Sequence, residues 1–432
     1  MRTARLATSM PSPDLAAEAS APRPPPARAL LRHPDFVLFW LSRVSAVVGS
    51  QVQSVSLGWQ VYALARRTHD VNVAAFDVSL IGLASFVPVF LLALPAGETA
   101  DRHDRRAILL WCLLAQLATA AALAGAAWTG TASVPLLLGI AAGFGAARAF
   151  SSPAGAALGP MLVPRPLLPR AIAMNSLAWQ SASILGPALG GVLVAISPAL
   201  SYAVAGGLYA LSALAVLLIR AATKPQAQAG SRLALMREGL AFVWRNRIVF
   251  GSISLDLFAV LLGGATALLP VFARDVLHVG AAGFGLLRAG PAMGATVAAL
   301  ALAAWPIHRR AGLVMFGGVA VFGLATVVFS LSKLMWLSVA ALAVLGAADM
   351  LSVYVRATLE QLSTPDAMRG RVATVSSVFV GASNELGEFE SGLAARVLGP
   401  IGAALFGGLG ALVVTGLWAW LFPELRKADR LT

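Results

Sequence analysis

One cysteine, five histidines and four tyrosines stand in a chain of 432 residues, of which only 12% is charged. Each scarcity removes a class of chemistry. Cys112 lies inside an apolar run, so a disulfide framework and a thiolate metal site are both excluded. His33, His69, His103, His278 and His308 fall at loops or at the ends of apolar runs, which offers no histidine cluster for a metal. No phosphate-binding loop, ATP-hydrolysing signature or nucleophile–base constellation is present. An enzyme is therefore not expected, nor any cofactor, and energy for work has to come from an ion gradient. Acidic residues are also few, 19 against 32 Lys and Arg, for a net charge of +13. The basic residues sit in short loops between apolar runs, where positive charge sets membrane orientation, and are not gathered into a nucleic-acid surface.

What is abundant is apolar length. The chain is 58% hydrophobic, with a mean hydropathy of +0.80, which places it among multi-span membrane proteins. A spanning helix needs about 20 mostly apolar residues. Twelve such runs are expected, at 36–64, 76–96, 106–128, 134–159, 170–196, 200–220, 248–272, 281–304, 311–331, 334–357, 371–396 and 401–422. The predicted organisation is a disordered cytoplasmic tail at 1–32, a six-helix half at 33–220, a basic linker at 221–247, a second six-helix half at 248–422 and a tail at 423–432. Pro22, Pro24, Pro25 and Pro26, with no apolar core beside them, read as a tail and not as a cleaved leader. In the linker, Leu233 to Trp244 has the pattern of an amphipathic helix lying on the membrane surface. With the N-terminus inside, 23 of the 32 Lys and Arg fall on the cytoplasmic side and 5 outside, so both ends are expected in the cytoplasm.

Between the second and third runs lies a charged hinge, Gly97-Glu98-Thr99-Ala100-Asp101-Arg102-His103-Asp104-Arg105-Arg106. Gly97 permits close backbone approach, Asp101 is placed to cap the next helix, and Arg102, Arg105 and Arg106 hold the loop at the cytoplasmic face. A shift of 204 lays Ala301 to Arg310 on this stretch. The paired arginines return as Arg309 and Arg310, a decayed second copy that fits duplicated halves. In the fifth run, Ala182-Ser183-Ile184-Leu185-Gly186-Pro187-Ala188-Leu189-Gly190-Gly191 combines a kinking proline with a flat glycine face for close helix packing.

The hinge, Gly-x-x-x-Asp-Arg-x-x-Arg-Arg, resembles the loop 2–3 signature of the major facilitator superfamily, with Asp104 where many members carry glycine. The fifth run resembles that superfamily's antiporter motif at Gly186, Pro187, Gly190 and Gly191, with Ala182 in place of the leading glycine. Further blocks resemble the branch of the enterobactin exporter and related efflux proteins. They are Leu94-Pro95-Ala96-Gly97, Arg148-Ala149-Phe150-Ser151-Ser152-Pro153-Ala154, and Thr364-Pro365-Asp366-Ala367-Met368-Arg369-Gly370-Arg371. The resemblance implies an all-α membrane fold of twelve helices in two pseudo-symmetric halves. It also implies proton antiport that exports a small, partly hydrophobic, siderophore-like or drug-like molecule by alternating access. The expected setting is the inner membrane, and the expected partners of a monomer are substrate, protons and lipid. Uptake by symport or facilitated diffusion, and a non-transporting scaffold or sensor, are the competing readings.

Ionisable residues inside spans cost roughly 2.5–3.5 kcal/mol each at a helix centre, which makes them site candidates. They include Arg43, Arg148, Asp256, Arg288, Asp349, Glu385, Glu388 and Glu390. Glu385 and Glu388 are three apart and share a helix face; two close carboxylates in low dielectric cannot both ionise cheaply, as a proton-coupling site requires. With Asp349 and Arg148 they form the proton-coupling set, against which stands a structural ion pair with Arg148 or Arg288. Asp256 and Arg43 read as structural. Gly49, Gln53, Ser56 and Gln60 form one polar stripe expected to face a water-filled cavity, with Trp59, Trp179, Phe379 and Asn384 as further substrate contacts.

Overall fold

The structure is a computed structural model and describes residues 27–221, 223 and 232–429. The tail expected at 1–32 lies outside the described residues up to position 26, as do 222 and 224–231 of the linker and 430–432 at the C-terminus. Six helices form the first half: α1 (Pro34–Ala65), α2 (Val71–Arg102), α3 (Arg105–Thr129), α4 (Val134–Leu158), α5 (Leu168–Ile196) and α6 (Pro198–Leu218). A linker helix follows, α7 (Arg232–Arg245). The second half holds α8 (Arg247–Leu262, carried on through short turns to Val276), α9 (Gly280–Ala304), α10 (Ala311–Leu331), α11 (Met335–Leu362) and α12 (Asp366–Leu421). A last turn, α13, spans Pro423–Arg426.

Ten helices among the described residues are long and apolar enough to cross a membrane. Two facts turn ten into twelve. At 56 residues α12 would run about 84 Å at 1.5 Å per residue, far beyond a hydrocarbon core of about 30 Å. It breaks at Gly399 (φ 74°, ψ 163°), followed by Pro400, and so supplies two spans joined by no loop. The other is α1, whose 32 residues suffice in length while its serines and glutamines dilute the apolar run.

The halves repeat one packing pattern. In the first, α1 packs on α5 and α6, α2 on α4, and α3 on α4 and α6. In the second, α8 packs on both arms of α12, α9 on α11, and α10 on α11 and α12. The halves meet through two equivalent pairs, α2 with α12 and α5 with α9. Inside the first half the polar groups of α1 are matched by α6: Ser42 bonds Ser212 at 2.8 Å, Ser56 bonds Ser201, and Tyr202 donates to Gln60 at 2.7 Å.

The hinge departs from expectation in one respect. Helix α2 runs through Gly97 and Asp101 to Arg102, and it is Asp104 that caps α3, accepting from the Arg106 amide at 3.0 Å. A cap must stand just ahead of the first turn, and Asp101 is still inside the preceding helix. The two arginines that begin α3 then bind the carbonyl ends of neighbouring helices. Arg105 donates to Ala100 and Ala157, and Arg106 to Val216 and Leu217. A cation at a helix C-terminus satisfies carbonyls that have no partner within their own helix. The linker helix forms where expected but packs on protein. Gly239 lies against the backbone of Arg371, Glu238 pairs with Arg371, and Val243 is buried with Val249, Ile253, Val372 and Val375. Phe379 packs against the same cluster and is not among the residues lining the central cavity.

Gly399 adopts a conformation that side-chain-bearing residues reach only at a cost of about 1–3 kcal/mol. Gly399→Ala is therefore expected to lower the thermal-unfolding midpoint of the purified protein; an unchanged midpoint would show that the joint relaxes.

Candidate functional site

A cavity of about 160 Å³ lies where the halves meet, walled by α1, α2, α4, α9 and α12. Helix α1 presents Ser50, Gln51, Gln53, Ser54 and Leu57 to it. Gln53 is buried and its Oε1 has no hydrogen-bond partner. Ile81, Ala141 and Phe144 give the wall an apolar side. The charges are Arg148 on α4, Arg288 on α9, and Glu385 and Glu388 on α12. Arg148 pairs with Glu385, an ion pair that joins one half to the other. Arg288 reaches Glu388 at 3.4 Å and also donates to the Thr266 carbonyl at 3.2 Å. That carbonyl lies beyond the Gly263–Gly264 break in α8, where Gly264 sits against the backbone of Gly387. Irregular backbone at membrane depth has to be buried in protein or line a cavity, and here a guanidinium holds it.

The remaining candidates fall elsewhere. Ser56 and Gln60 sit in the α1–α6 interface and not in the cavity. The stripe with Gly49 is polar because α6 supplies Ser201 and Tyr202 to meet it. A helical stripe gives a direction but not its neighbour, and hydroxyls on a partner helix satisfy it as well as water does. The cavity-facing residues are its neighbours on α1, Ser50, Gln51 and Ser54, together with Gln53. Asn384 is exposed and donates back to the Val380 carbonyl at 2.8 Å. Trp179 lines a second cavity, of about 440 Å³, between α1, α4 and α5. Asp349 lies within the second half, beside a small void that it lines with Asp256. Asp256 pairs there with Arg356, and both are buried.

Several contacts between the halves carry no sequence motif. Tyr62 donates to Asp275, which also lies 3.6 Å from Arg66, and Arg274 stands over the Tyr62 ring at 5.9 Å. Phe76 meets Phe389 at 6.0 Å and Arg396 at 5.3 Å, and Trp59 stacks on Phe284 at 6.1 Å. All of these lie toward the end of the bundle away from the described termini. Small residues close the same region. A Cβ on Gly191 would stand 2.7 Å from the Gly285 Cα, and one on Gly392 would meet Ser79 at 1.9 Å. The 440 Å³ cavity, bounded by Phe39, Gly159 and Ile172, lies at the other end. The bundle is closed at one end and hollow at the end that carries α7 and the described termini.

A twelve-helix bundle of two like halves around a charged, half-polar cavity is the architecture of a membrane transporter. Residues 26–431 match the family model described as transmembrane secretion effector, and the chain belongs to this family of major facilitator transporters. It is similar to the enterobactin exporter EntS of Citrobacter koseri, 28% identical over 92% of this chain and 94% of that one. The EntS of Shigella boydii serotype 4 is 26% identical over the same shares. Among solved structures, the fold is shared with a bacterial homologue of the lysosomal transporter Spinster in an inward-facing, unoccupied conformation. The TM-score is 0.69 at 13% identity, covering 91% of this chain and 96% of that one. An inward-facing bacterial homologue of ferroportin gives 0.65 at 18% identity, covering 90% and 99%.

The backbone contact at Gly191 and Gly285 has no room for a side chain, so Gly285→Val should hold the closed end apart. With Cys112 replaced by serine and a reporter cysteine at Ser54, labelling by a membrane-impermeant maleimide from that side is expected to rise several-fold. Unchanged labelling would mean that the seam does not govern access.

Proposed function

We propose that the protein exports a small, partly hydrophobic molecule in exchange for protons, by alternating access, from an inner membrane with both termini in the cytoplasm. The observation that carries this reading is the Arg148–Glu385 pair, a charge contact between the halves inside the cavity. A proton on Glu385 cancels its charge and releases Arg148, which loosens one tie between the halves and leaves a cation free for substrate. Glu388 with Arg288 lies one turn away on the same helix face, so the two carboxylates sense each other's charge. Asp349 is a further protonation candidate inside the second half. Gln53, Ser50, Gln51 and Ser54 would contact polar groups of the substrate, and Ile81 and Phe144 its apolar body.

The excess of Lys and Arg on the side of the described termini supports the cytoplasmic assignment, which makes the hollow end the inner one. Resemblance to exporters, together with the Gly186, Pro187, Gly190 and Gly191 motif, supports outward transport. Each proton moving inward supplies about 2.3 kcal/mol per 100 mV of potential. In the outward-facing state the hinge would close on the start of α12, with Asp101 near the positive end of that helix, while Arg105 and Arg106 keep the loop tied to α4 and α6.

Proteoliposomes with an acidic lumen should accumulate an anionic dye or siderophore-like chelator through inside-out molecules, and a protonophore should abolish the uptake. Glu385→Gln and Glu388→Gln are each expected to reduce gradient-driven flux on the order of tenfold, about 1.4 kcal/mol, while sparing gradient-independent exchange. Full gradient-driven flux in both variants would remove the coupling assignment.

A further inference from the structure

Arg148, Arg288 and Arg356 each face a carboxylate, whereas Arg43 faces none among the described residues. Its guanidinium lies against α4 at Gly155, where the missing side chain leaves it room; a Cβ there would stand 3.2 Å from Nη1. The neighbouring Ser42 is bonded to Ser212 of α6, which fixes the rotation of α1 and keeps Arg43 turned toward α4 and α5. Arg43 thus borders the 440 Å³ cavity with Asn175, Ser176 and Trp179. The Asn175 Oδ1 is buried without a hydrogen-bond partner, and as an acceptor it is open to a hydroxyl or N–H of a ligand rather than to an anionic oxygen. Trp179 is 54% exposed and offers a flat apolar wall.

This cavity and the central one lie along the same faces of α1 and α4. On α1, Arg43 and Val47 line the first and Ser50, Gln51 and Ser54 the second, at spacings of 4, 7, 8 and 11 that keep one helix face. On α4, Gly155 lines the first and Arg148 the second, seven residues apart and again on one face, and Gly159 just past the helix end joins the first. The two cavities are stacked, with Arg43 about 11 Å along the axis from Ser50. A cation inside a span without a countercharge calls for an anion from solution, and the open cavity is where one arrives.

We infer that Arg43, Asn175 and Trp179 form a vestibular site that binds an organic anion, a carboxylate, phenolate or phosphate carried on a flat apolar body, before it reaches the central cavity. As the class of cargo, this rests on the export reading above. Arg43 supplies the charge, Asn175 Oδ1 an acceptor for a hydroxyl or N–H elsewhere on the ligand and Trp179 the face for the apolar body. Deeper in, Arg148 offers the same chemistry once Glu385 lets go of it.

The test uses full-length protein in phosphatidylcholine nanodiscs, titrated calorimetrically with three matched probes: 1-naphthoate, 1-naphthalenemethanol and 1-naphthylmethylamine. Naphthoate is expected to bind about tenfold more tightly than the other two, the usual worth of a hydrogen bond to a charged group. Arg43→Gln should abolish that preference and Arg43→Lys keep most of it. Asn175→Asp, nearly unchanged in shape, should weaken naphthoate by adding a like charge to the cavity. Equal affinity for the three probes overturns the proposal, as does an Arg43→Gln protein that elutes as a single species and binds naphthoate unchanged. If Arg43→Gln does not fold, the probe comparison and Asn175→Asp decide alone. Nanodiscs containing phosphatidylglycerol separate the sources: if the anionic lipid blocks naphthoate, the site holds headgroups and the cargo assignment falls. These titrations need no gradient. Anion preference without proton-driven flux sinks the export reading alone, and proton-driven flux without anion preference sinks this one alone.

Discussion

A charge inside hydrocarbon must meet an opposite charge or water, and the interior of this protein follows from that requirement. Asp256 and Arg356 satisfy it by burial together, a geometry that roughly offsets its own desolvation and makes loss of either partner costly. Arg148 and Glu385 satisfy it across the boundary between halves, and Arg288 with Glu388 beside a broken helix. The first arrangement holds one half together. The second stands on separate bodies beside the central cavity, which is what the proposed coupling role needs. The difference between a structural pair and a working pair is therefore one of placement.

The same constraint shapes the boundary itself. Two apolar surfaces gain little by meeting in lipid, so the helices that join the halves rely on close packing. Gly191 against Gly285 and Gly392 against Ser79 bring backbones together at equivalent places on the α5–α9 and α2–α12 pairs. The Tyr62, Asp275 and Arg66 cluster then finishes the seam with directional bonds. Packing this close is all or none, which would suit a joint that is either shut or parted in the proposed cycle.

The number of spans, the two halves and the charged residues of α12 could be read from the chain, because apolar length and buried charge leave a local mark. The direction of the α1 stripe could not. Ser56 and Gln60 look outward from α1 in the same register whether α6 or water lies beyond, and only the packed structure places Ser201 and Tyr202 there. Helix ends carried a similar ambiguity. Asp101 and Asp104 are both plausible caps, and the turn at His103 decides between them. The far-side closure left no trace, since Tyr62 and Asp275 are 213 positions apart and belong to no motif. Arg356 is absent from the charges singled out in the sequence; its meaning comes from Asp256, a hundred residues earlier.

The glycine joint within α12 has a mechanical consequence. The two spans of α12 are joined by Gly399 alone, with no intervening loop. In the proposed cycle, tilting of the arm that bears Glu385 and Glu388 would swing the final span with it. Val397 at the joint and Trp420 near the far tip, both largely uncovered by protein, would then be dragged through the acyl chains. In the proposed cycle the work of switching would in this way be shared with the surrounding lipid, and the stiffness of the bilayer would become one of the terms that set the turnover rate.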